Sequence, residues 1–109
     1  MTLAFLRAAT LAVTAFSLSA AALGQDVNAG RRKANLCQPC HALDGRGLLP
    51  DAPHLSGQPA VYLERQLRAF RSGERRNDMM SLVAKYLNDD DVRDLAAYFA
   101  SIKIEIKGP

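Results

Sequence analysis

The chain has 109 residues, with two cysteines, no tryptophan and a formal net charge of +3. A chain of this length accommodates one domain, and a net charge this small does not favour nucleic acid as a partner, although the pI is about 9.1. No pair of ionisable residues resembles acid–base machinery and no nucleophile has a base beside it, so the sequence does not indicate an enzyme.

The first 24 residues are predicted to be an export signal peptide. Arg7 is the only charged residue among them, and the rest of the segment is apolar or small. Ala22-Leu23-Gly24 fits a small-x-small cleavage site, so we expect cleavage near Gly24-Gln25 and a mature domain of residues 25–109. The apolar run is short for a membrane span, and no strongly basic segment follows it. We therefore expect no membrane span in the mature form; an uncleaved N-terminal anchor is the alternative.

The mature chain is predicted to begin with a short helix. Asp26 or Asn28 can cap this helix, which is expected to run into Cys37. Gly30 lies inside it, where glycine costs helix stability unless another segment must approach closely.

The segment Cys37-Gln38-Pro39-Cys40-His41 follows and has the C-x-x-C-H spacing of covalent c-type haem attachment. The two thiols add to the porphyrin vinyl groups as thioethers, and the next residue, His41, is thereby held under the iron as an axial ligand. The alternatives are a redox dithiol, half of a zinc site or a plain disulfide. No βαβ pattern surrounds the motif and no second Cys/His pair completes a zinc site, so covalent haem is the favoured interpretation.

The middle of the chain is predicted to be a loop followed by a second helix. Residues 42–58 contain three glycines and two prolines, which is typical of an extended loop. Pro59 is well placed to start a helix over about 60–71, which Ser72-Gly73 ends. The inner face of this helix is predicted to carry Leu63, Leu67 and Phe70.

Two further helices and a tail complete the prediction. A short helix is expected over 81–87, and Asn88 caps a last helix that has three aspartates in its first turn, where the helix dipole favours negative charge. The amphipathic stripe of the last helix consists of Val92, Leu95, Ala96, Phe99 and Ile102. Residues 103–109 form a C-terminal tail. The alternation of apolar and charged residues over 102–107 is open to three interpretations: a short edge strand, a partner-binding tail or a frayed terminus.

A basic stripe runs along the second helix and just beyond it, with Arg76 adjoining. One interpretation is a solvated helix face. A second is a docking patch for an acidic redox partner, and a third has one of these arginines neutralise a haem propionate. The stripe consists of Arg65, Arg68, Arg71 and Arg75.

Over about residues 27–102 the chain resembles the class I c-type cytochromes, in particular the small bacterial monohaem members and single halves of the dihaem members. The segments that carry the resemblance, besides the haem motif, are Gly30-x-x-x-Ala34, Asp44-Gly45-x-Gly47, Pro53-His54-Leu55-Ser56-Gly57-Gln58 and Leu95-Ala96-Ala97-Tyr98-Phe99.

This resemblance implies an all-α fold of about four short helices wrapped around one covalent haem c. It implies that the first and last helices cross at Gly30, which would explain that glycine. It also implies that the carbonyl of Pro53 accepts the proton on the second ring nitrogen of His41, which orients the ring and raises its basicity as a ligand. His54, the other histidine, is then expected beside Pro53 as a surface or propionate-side residue; a second axial imidazole is the alternative.

The resemblance also implies a methionine as the sixth iron ligand. In relatives this ligand tends to lie seven residues before the apolar residue that precedes the cap of the last helix. That residue is Leu87, so the ligand is predicted to be Met80, with its neighbour Met79 as the alternative.

The predicted function is single-electron transfer in the periplasm through a covalent haem ligated by His41 and Met80. The expected partners are other redox proteins, and the chain itself is not expected to be an enzyme. An alternative is a haem-bearing subunit permanently docked on a dehydrogenase, for example a flavoprotein. A third possibility is a gas sensor or small peroxidase with a labile sixth ligand.

Overall fold

The structure is a computed structural model that describes residues 25–109; the predicted signal peptide lies outside the described residues. The described part contains five α-helices and no strand. They are α1 (Val27–Lys33), α2 (Gln38–His41), α3 (Ala60–Ser72), α4 (Asp78–Ala84) and α5 (Asp89–Ser101), with a 3-10 turn at Ala34–Leu36 between the first two. The all-α prediction is confirmed, and the helix beyond the expected four is α2, a single turn formed by the haem motif itself.

Side-chain caps set the starts of α1 and α5. The Asp26 carboxylate accepts a hydrogen bond from the Ala29 N–H at 3.0 Å, so Asp26 rather than Asn28 caps α1. The Asn88 side chain accepts from the Asp91 N–H at 2.8 Å, and the Asp91 carboxylate accepts from the Asn88 N–H at 3.0 Å. This reciprocal capping box confirms Asn88 as the predicted cap.

The prediction for the short helix was wrong by three residues at each end. The expected span was 81–87, whereas α4 covers Asp78–Ala84. The Asn77 side chain accepts hydrogen bonds from the N–H groups of Met79 and Met80, at 3.1 and 2.9 Å, and this cap starts the helix early. Consequently both methionines lie in the first turn of a helix rather than in the loop before it.

The first and last helices cross at Gly30, as the resemblance implied. A Cβ atom added at Gly30 would overlap the carbonyl oxygen of Asp94 and lie 2.7 Å from the Cβ of Tyr98. Only a glycine allows this approach. Gly30 therefore lowers the helix propensity of α1 but lets α1 pack closely on α5. The buried core lies on α5 and its neighbours, and its main members are Ala34, Leu63, Leu87, Val92, Leu95, Ala96, Tyr98 and Phe99.

The predicted C-terminal tail leaves α5 at Ile102, whose backbone is extended, and residues 103–109 form neither helix nor strand. The tail passes over the loop that follows the haem motif: a Cβ added at Gly57 would lie 3.2 Å from the carbonyl oxygen of Ile102 and 3.3 Å from the Ile104 side chain. Ile106, further out, is 86% exposed. The start of the tail therefore packs on the loop while its end points into solvent.

Candidate haem site

The C-x-x-C-H segment is folded into one tight turn. The N–H groups of Cys40 and His41 both donate to the Cys37 carbonyl, at 3.2 and 2.9 Å, and α2 ends directly after His41. Both cysteines are free and half-buried, and both line the same cavity as His41. The local fold therefore places two thiols and one imidazole in the wall of the same cavity.

The chemistry of these thiols does not favour a redox dithiol. Burial, together with the charge of Cys40 as the smaller cause, raises the pKa of the Cys37 thiol to about 11. Redox-active cysteines instead have a lowered pKa, because the thiolate is the reactive form. Nor does any group of three or more His, Cys, Asp or Glu residues within 25–109 have the arrangement of a metal site.

The imidazole of His41 is held in one tautomer. The residue is 6% exposed, and its Nδ1 lies 2.9 Å from the carbonyl oxygen of Pro53. A carbonyl oxygen only accepts hydrogen bonds, so Nδ1 carries a proton, and in the neutral ring Nε2 is then the nitrogen with the lone pair. The hydrogen bond implied by the resemblance is thus present, and Nε2 is the nitrogen with a lone pair to donate to a metal.

The cavity next to α2 has a volume of about 740 Å³ and a mainly apolar wall. Its lining comes from α2, the following loop, and helices α3, α4 and α5, so it occupies the centre of the described fold. It brings together two thiols, two imidazoles and two methionine thioethers, whereas a His/Met-ligated c-type haem uses both thiols, one imidazole and one thioether. The residues present therefore fit this group, and the donors that line the cavity are Cys37, Cys40, His41, His54, Met79 and Met80.

The two methionines differ in exposure. Met79 is 58% exposed, whereas Met80 is half-buried, and both line the cavity. His54 is exposed and lies next to Pro53, where its Nδ1 accepts a hydrogen bond from the Gly47 N–H at 3.0 Å. This hydrogen bond uses one ring nitrogen of His54 to hold the loop. The exposure of His54 agrees with its interpretation as a surface residue beside Pro53.

The arginines of the basic stripe fall into different environments. Arg68 pairs with Glu64 at 3.4 Å and with Asp89 at 3.2 Å, and Arg71 pairs with the same oxygen of Asp89 at 2.6 Å. The contact with Arg71 holds the pKa of Asp89 below its usual range. Arg65 has no ion pair among the described residues. Arg75 and Arg76 lie in the loop before α4 and line the haem cavity.

Two features of the site were missed by sequence reasoning. The hydroxyl of Tyr98 donates to the Leu43 carbonyl at 2.6 Å and so ties α5 to the loop after the haem motif. Arg75 reaches the cavity wall because Gly73, with a φ of +85°, turns the chain back after α3. Ser72-Gly73 was recognised as a helix end, but the direction in which the chain leaves it depends on tertiary packing.

Comparison with known proteins agrees with this site. The family model for Cytochrome c matches residues 27–103, so the chain belongs to the cytochrome c family. It is 43% identical over 79 residues to cytochrome c-554(548) of Halomonas halodenitrificans, covering 70% of this chain and 95% of that protein. It is similar to the structure of cytochrome c4 from Pseudomonas stutzeri, with a TM-score of 0.68 and 35% identity, covering 73% of this chain and 47% of that one.

A third relative is a thiosulfate dehydrogenase electron acceptor from Stutzerimonas stutzeri, 42% identical over 69 residues, which are 61% of this chain and 32% of that protein. The chain therefore spans about half the length of the cytochrome c4 structure and about a third of the acceptor. Taken together, the fold, the motif and the family make this chain a class I c-type cytochrome. It holds one covalent haem c and carries electrons, and it is not itself a catalyst. No helix within the described residues is both long and apolar enough to cross a membrane.

Proposed function

We propose that His41 and Met80 would bind the haem iron, that Cys37 and Cys40 would attach the haem through thioethers, and that the haem would let the chain carry one electron at a time. The observation that carries the proposal is the hydrogen bond from the buried His41 Nδ1 to Pro53, which leaves Nε2 with its lone pair in a cavity that Met80 also lines. Bound haem c supplies a one-electron change at its iron. The task of the chain is to orient both ligands and to keep water from the metal.

Met80 is the better candidate for the sixth ligand on two grounds. Its side chain is half-buried, whereas that of Met79 is 58% exposed. It also lies seven residues before Leu87, the spacing expected for this ligand in relatives. A thioether opposite an imidazole raises the reduction potential, and two strong ligands leave no position for a substrate. Carbon monoxide therefore should not bind the ferrous protein rapidly, and rapid binding would instead favour the gas sensor or peroxidase.

We propose the periplasm as the working compartment, after removal of residues 1–24. Support comes from the sequence of this segment and from the family, whose covalent haem attachment in bacteria takes place outside the cytoplasm. The test is to fractionate cells that express the full chain and to determine the N-terminus of the haem-containing product. A product in the periplasmic fraction that starts near Gln25 is expected; a membrane-bound product that retains Met1 would contradict cleavage.

We further propose that an acidic redox protein docks on the basic stripe of Arg65, Arg68, Arg71 and Arg75. Arg75 lines the haem cavity, so the stripe ends beside the cofactor. Arg68 and Arg71 pair with Asp89, and this lowers the free positive charge of the stripe. Arg65 is the arginine of α3 that has no ion pair among the described residues. Steering by such a patch weakens with salt, because the screening length falls from about 10 Å at 0.1 M to about 3 Å at 1 M.

The docking proposal is tested by stopped-flow electron exchange with the physiological partner across a salt series. Arg65→Glu is expected to slow the second-order rate at low salt, with the haem spectrum unchanged. Arg32→Glu, a matched charge reversal at an exposed position on α1, is the control and should have a smaller effect. Equal effects of both changes would show that the stripe is an ordinary solvated helix face and not a docking patch.

A second candidate is a haem domain that stays docked on a dehydrogenase. The similarity to a thiosulfate dehydrogenase electron acceptor favours it specifically. Size-exclusion chromatography of native periplasmic extract distinguishes the two proposals, because a free carrier elutes at the mass of one small domain or its dimer. Elution with a much larger protein that reduces the haem on addition of its substrate would favour the permanently docked subunit.

A further inference from the structure

The loop between α3 and α4 returns one arginine to the haem cavity. Gly73 follows α3 with a φ of +85°, and this left-handed conformation reverses the chain. The Arg75 N–H then donates to the Ala69 carbonyl at 3.1 Å, which anchors the backbone of Arg75 against the last turn of α3. This backbone hydrogen bond therefore fixes the position of Arg75 independently of its side-chain contacts.

The guanidinium of Arg75 is oriented by two neutral groups of the cavity wall. Its Nη1 donates to the side-chain oxygen of Gln66 at 2.7 Å, and its Cζ lies 4.6 Å from the ring centroid of Phe70. Gln66 and Phe70 both line the cavity. An amide contact and a cation–π contact fix a guanidinium without neutralising it, and most of its five N–H donors stay available.

The absence of a carboxylate partner distinguishes Arg75 from its neighbours on the stripe. Arg68 and Arg71 both pair with Asp89, whereas no carboxylate of residues 25–109 lies within ion-pair distance of Arg75. Arg76 also lines the cavity and has no ion pair there, but no described side chain holds its guanidinium in place. The cavity wall therefore carries one positively charged group that is both oriented and unneutralised.

We propose that Arg75 binds a propionate carboxylate of the haem and that Gln66 and Phe70 hold its guanidinium for that contact. The haem brings two carboxylates to a cavity whose wall is mainly apolar, and a planar guanidinium matches a carboxylate with two parallel hydrogen bonds. The inference rests on the covalent haem of the proposed function but not on the identity of the sixth ligand. It gives Arg75, at the end of the basic stripe, a contact with the cofactor in addition to its place in the proposed docking patch.

The assignment has a consequence for the reduction potential. The ferric form carries one more positive charge than the ferrous form, so a cation fixed at the cofactor disfavours the ferric form and raises the potential. Arg75 is an exposed residue that lines this mainly apolar cavity, so solvent screens part of its charge. Removing Arg75 should therefore lower the potential while the iron ligands stay in place.

The test compares single variants of the holoprotein by redox titration and by resonance Raman spectroscopy of the propionate bending bands. Arg75→Gln is expected to lower the potential and shift those bands, and Arg75→Lys to retain most of the potential because it keeps the charge. Arg65→Gln removes an equivalent charge that does not line the cavity and should leave both readouts close to those of the wild type. Arg76→Gln removes a charge at the cavity wall and should shift both readouts less than Arg75→Gln. The ferric sulfur–iron charge-transfer band is followed in every variant, so a lost axial ligand is detected separately.

The proposal is overturned if Arg75→Gln keeps the charge-transfer band and leaves the potential and the propionate bands unchanged. It is also overturned if Arg76→Gln produces the larger shift. Should Arg75→Gln fail to assemble, Gln66→Leu supplies the second arm. This variant frees the guanidinium of one anchor and should shift the propionate bands, and unchanged bands in it would contradict the proposed orientation.

Discussion

The carbonyl oxygen of Pro53 lies 2.9 Å from Nδ1 of His41, a residue twelve positions earlier that is almost fully buried. This contact connects the haem motif to the middle of the loop that follows it. The orientation of the imidazole is therefore set by the folding of residues 42–58 as well as by the turn at α2. Because an N–H held by a carbonyl makes the opposite nitrogen a better donor, the loop contributes to the electronics of the site.

The covalent attachment is tested through the cysteines. Wild-type protein that has been denatured and extracted with acidified acetone should keep its haem with the polypeptide, because two thioethers hold it. Cys37→Ala and Cys40→Ala should each keep the haem through one thioether, with a red-shifted pyridine haemochrome band from the restored vinyl group. The double variant should release all of it. Release of haem from the wild-type protein would contradict the covalent assignment.

The sixth ligand is tested by a pair of neighbouring substitutions. Met80→Ala should abolish the ferric sulfur–iron charge-transfer band, lower the reduction potential and allow carbon monoxide to bind the ferrous iron. Met79→Ala serves as the control, and its free energy of unfolding should change by no more than about 0.5 kcal/mol because that side chain is largely exposed. If the spectral loss follows the Met79 change instead, the assignment is wrong by one residue.

The crossing of α1 and α5 is tested at Gly30. Gly30→Ala places a methyl group against the Asp94 carbonyl and the Tyr98 Cβ, where backbone atoms cannot yield. Overpacking of this kind typically costs about 1–3 kcal/mol, and we expect a loss at or above the upper end in chemical denaturation of the holoprotein. Gly108→Ala is the matched control, since nothing lies within 4 Å of its added methyl group. Equal stability of the two variants would contradict the close approach.

The ion network between α1 and α5 should make stability depend on pH. Lys33 Nζ lies 2.8 Å from carboxylate oxygens of both Asp91 and Asp94, and Asp94 also accepts from the Asp26 N–H at 2.9 Å. The contact with Lys33 holds the pKa of Asp91 and of Asp94 below the usual value of 3.8. The same contacts, first with Asp91 and then with Asp94, raise the pKa of Lys33 above 10.5.

The signs of these shifts give two pH windows. A carboxyl with a lowered pKa stabilises the fold above its unfolded value, so this contribution is lost as the pH falls below about 4. A lysine with a raised pKa stabilises the fold below its unfolded value, so its contribution is lost as the pH rises above about 10.5. The contribution of this network to the free energy of unfolding should therefore be greatest between these two pH limits.

Lys33→Met should remove the alkaline dependence and weaken the acid one, because the N–H groups of Asn88 and Asp26 still lower the pKa of the two aspartates. It should lower the free energy of unfolding at neutral pH by about 1–2 kcal/mol, a modest figure because the lysine side chain is one-third exposed. Denaturant unfolding from pH 3 to 11 is the measurement. Lys103→Met, which removes an exposed lysine from the tail, is the control and should keep the wild-type profile. A pH profile of Lys33→Met that matches the wild type would show that the network does not couple folding to protons.

Much of the site could be predicted from the sequence because it is encoded locally. The two cysteines and His41 lie within five consecutive residues, so their spacing alone indicates the covalent cofactor. Asn88 was recognised as the cap of α5 from its position before three aspartates, and the apolar stripe of α5 follows from helical periodicity. For Gly30 the sequence indicated only that something must approach closely, and the resemblance supplied the partner helix.

Other features were decided only by the tertiary structure, because they depend on residues that are far apart along the chain. The pattern of 81–87 predicted a later helix, but the Asn77 cap starts α4 at Asp78 and thereby puts both methionines into its first turn. The helical spacing of the basic stripe gave no sign that Arg68 and Arg71 share Asp89, which is close to them only after α5 packs on α3. Periodicity orders side chains around one helix, whereas charge pairing and cavity walls are set by contacts between helices. The contact of Arg75 with Gln66 and Phe70 likewise exists only because the chain turns back at Gly73.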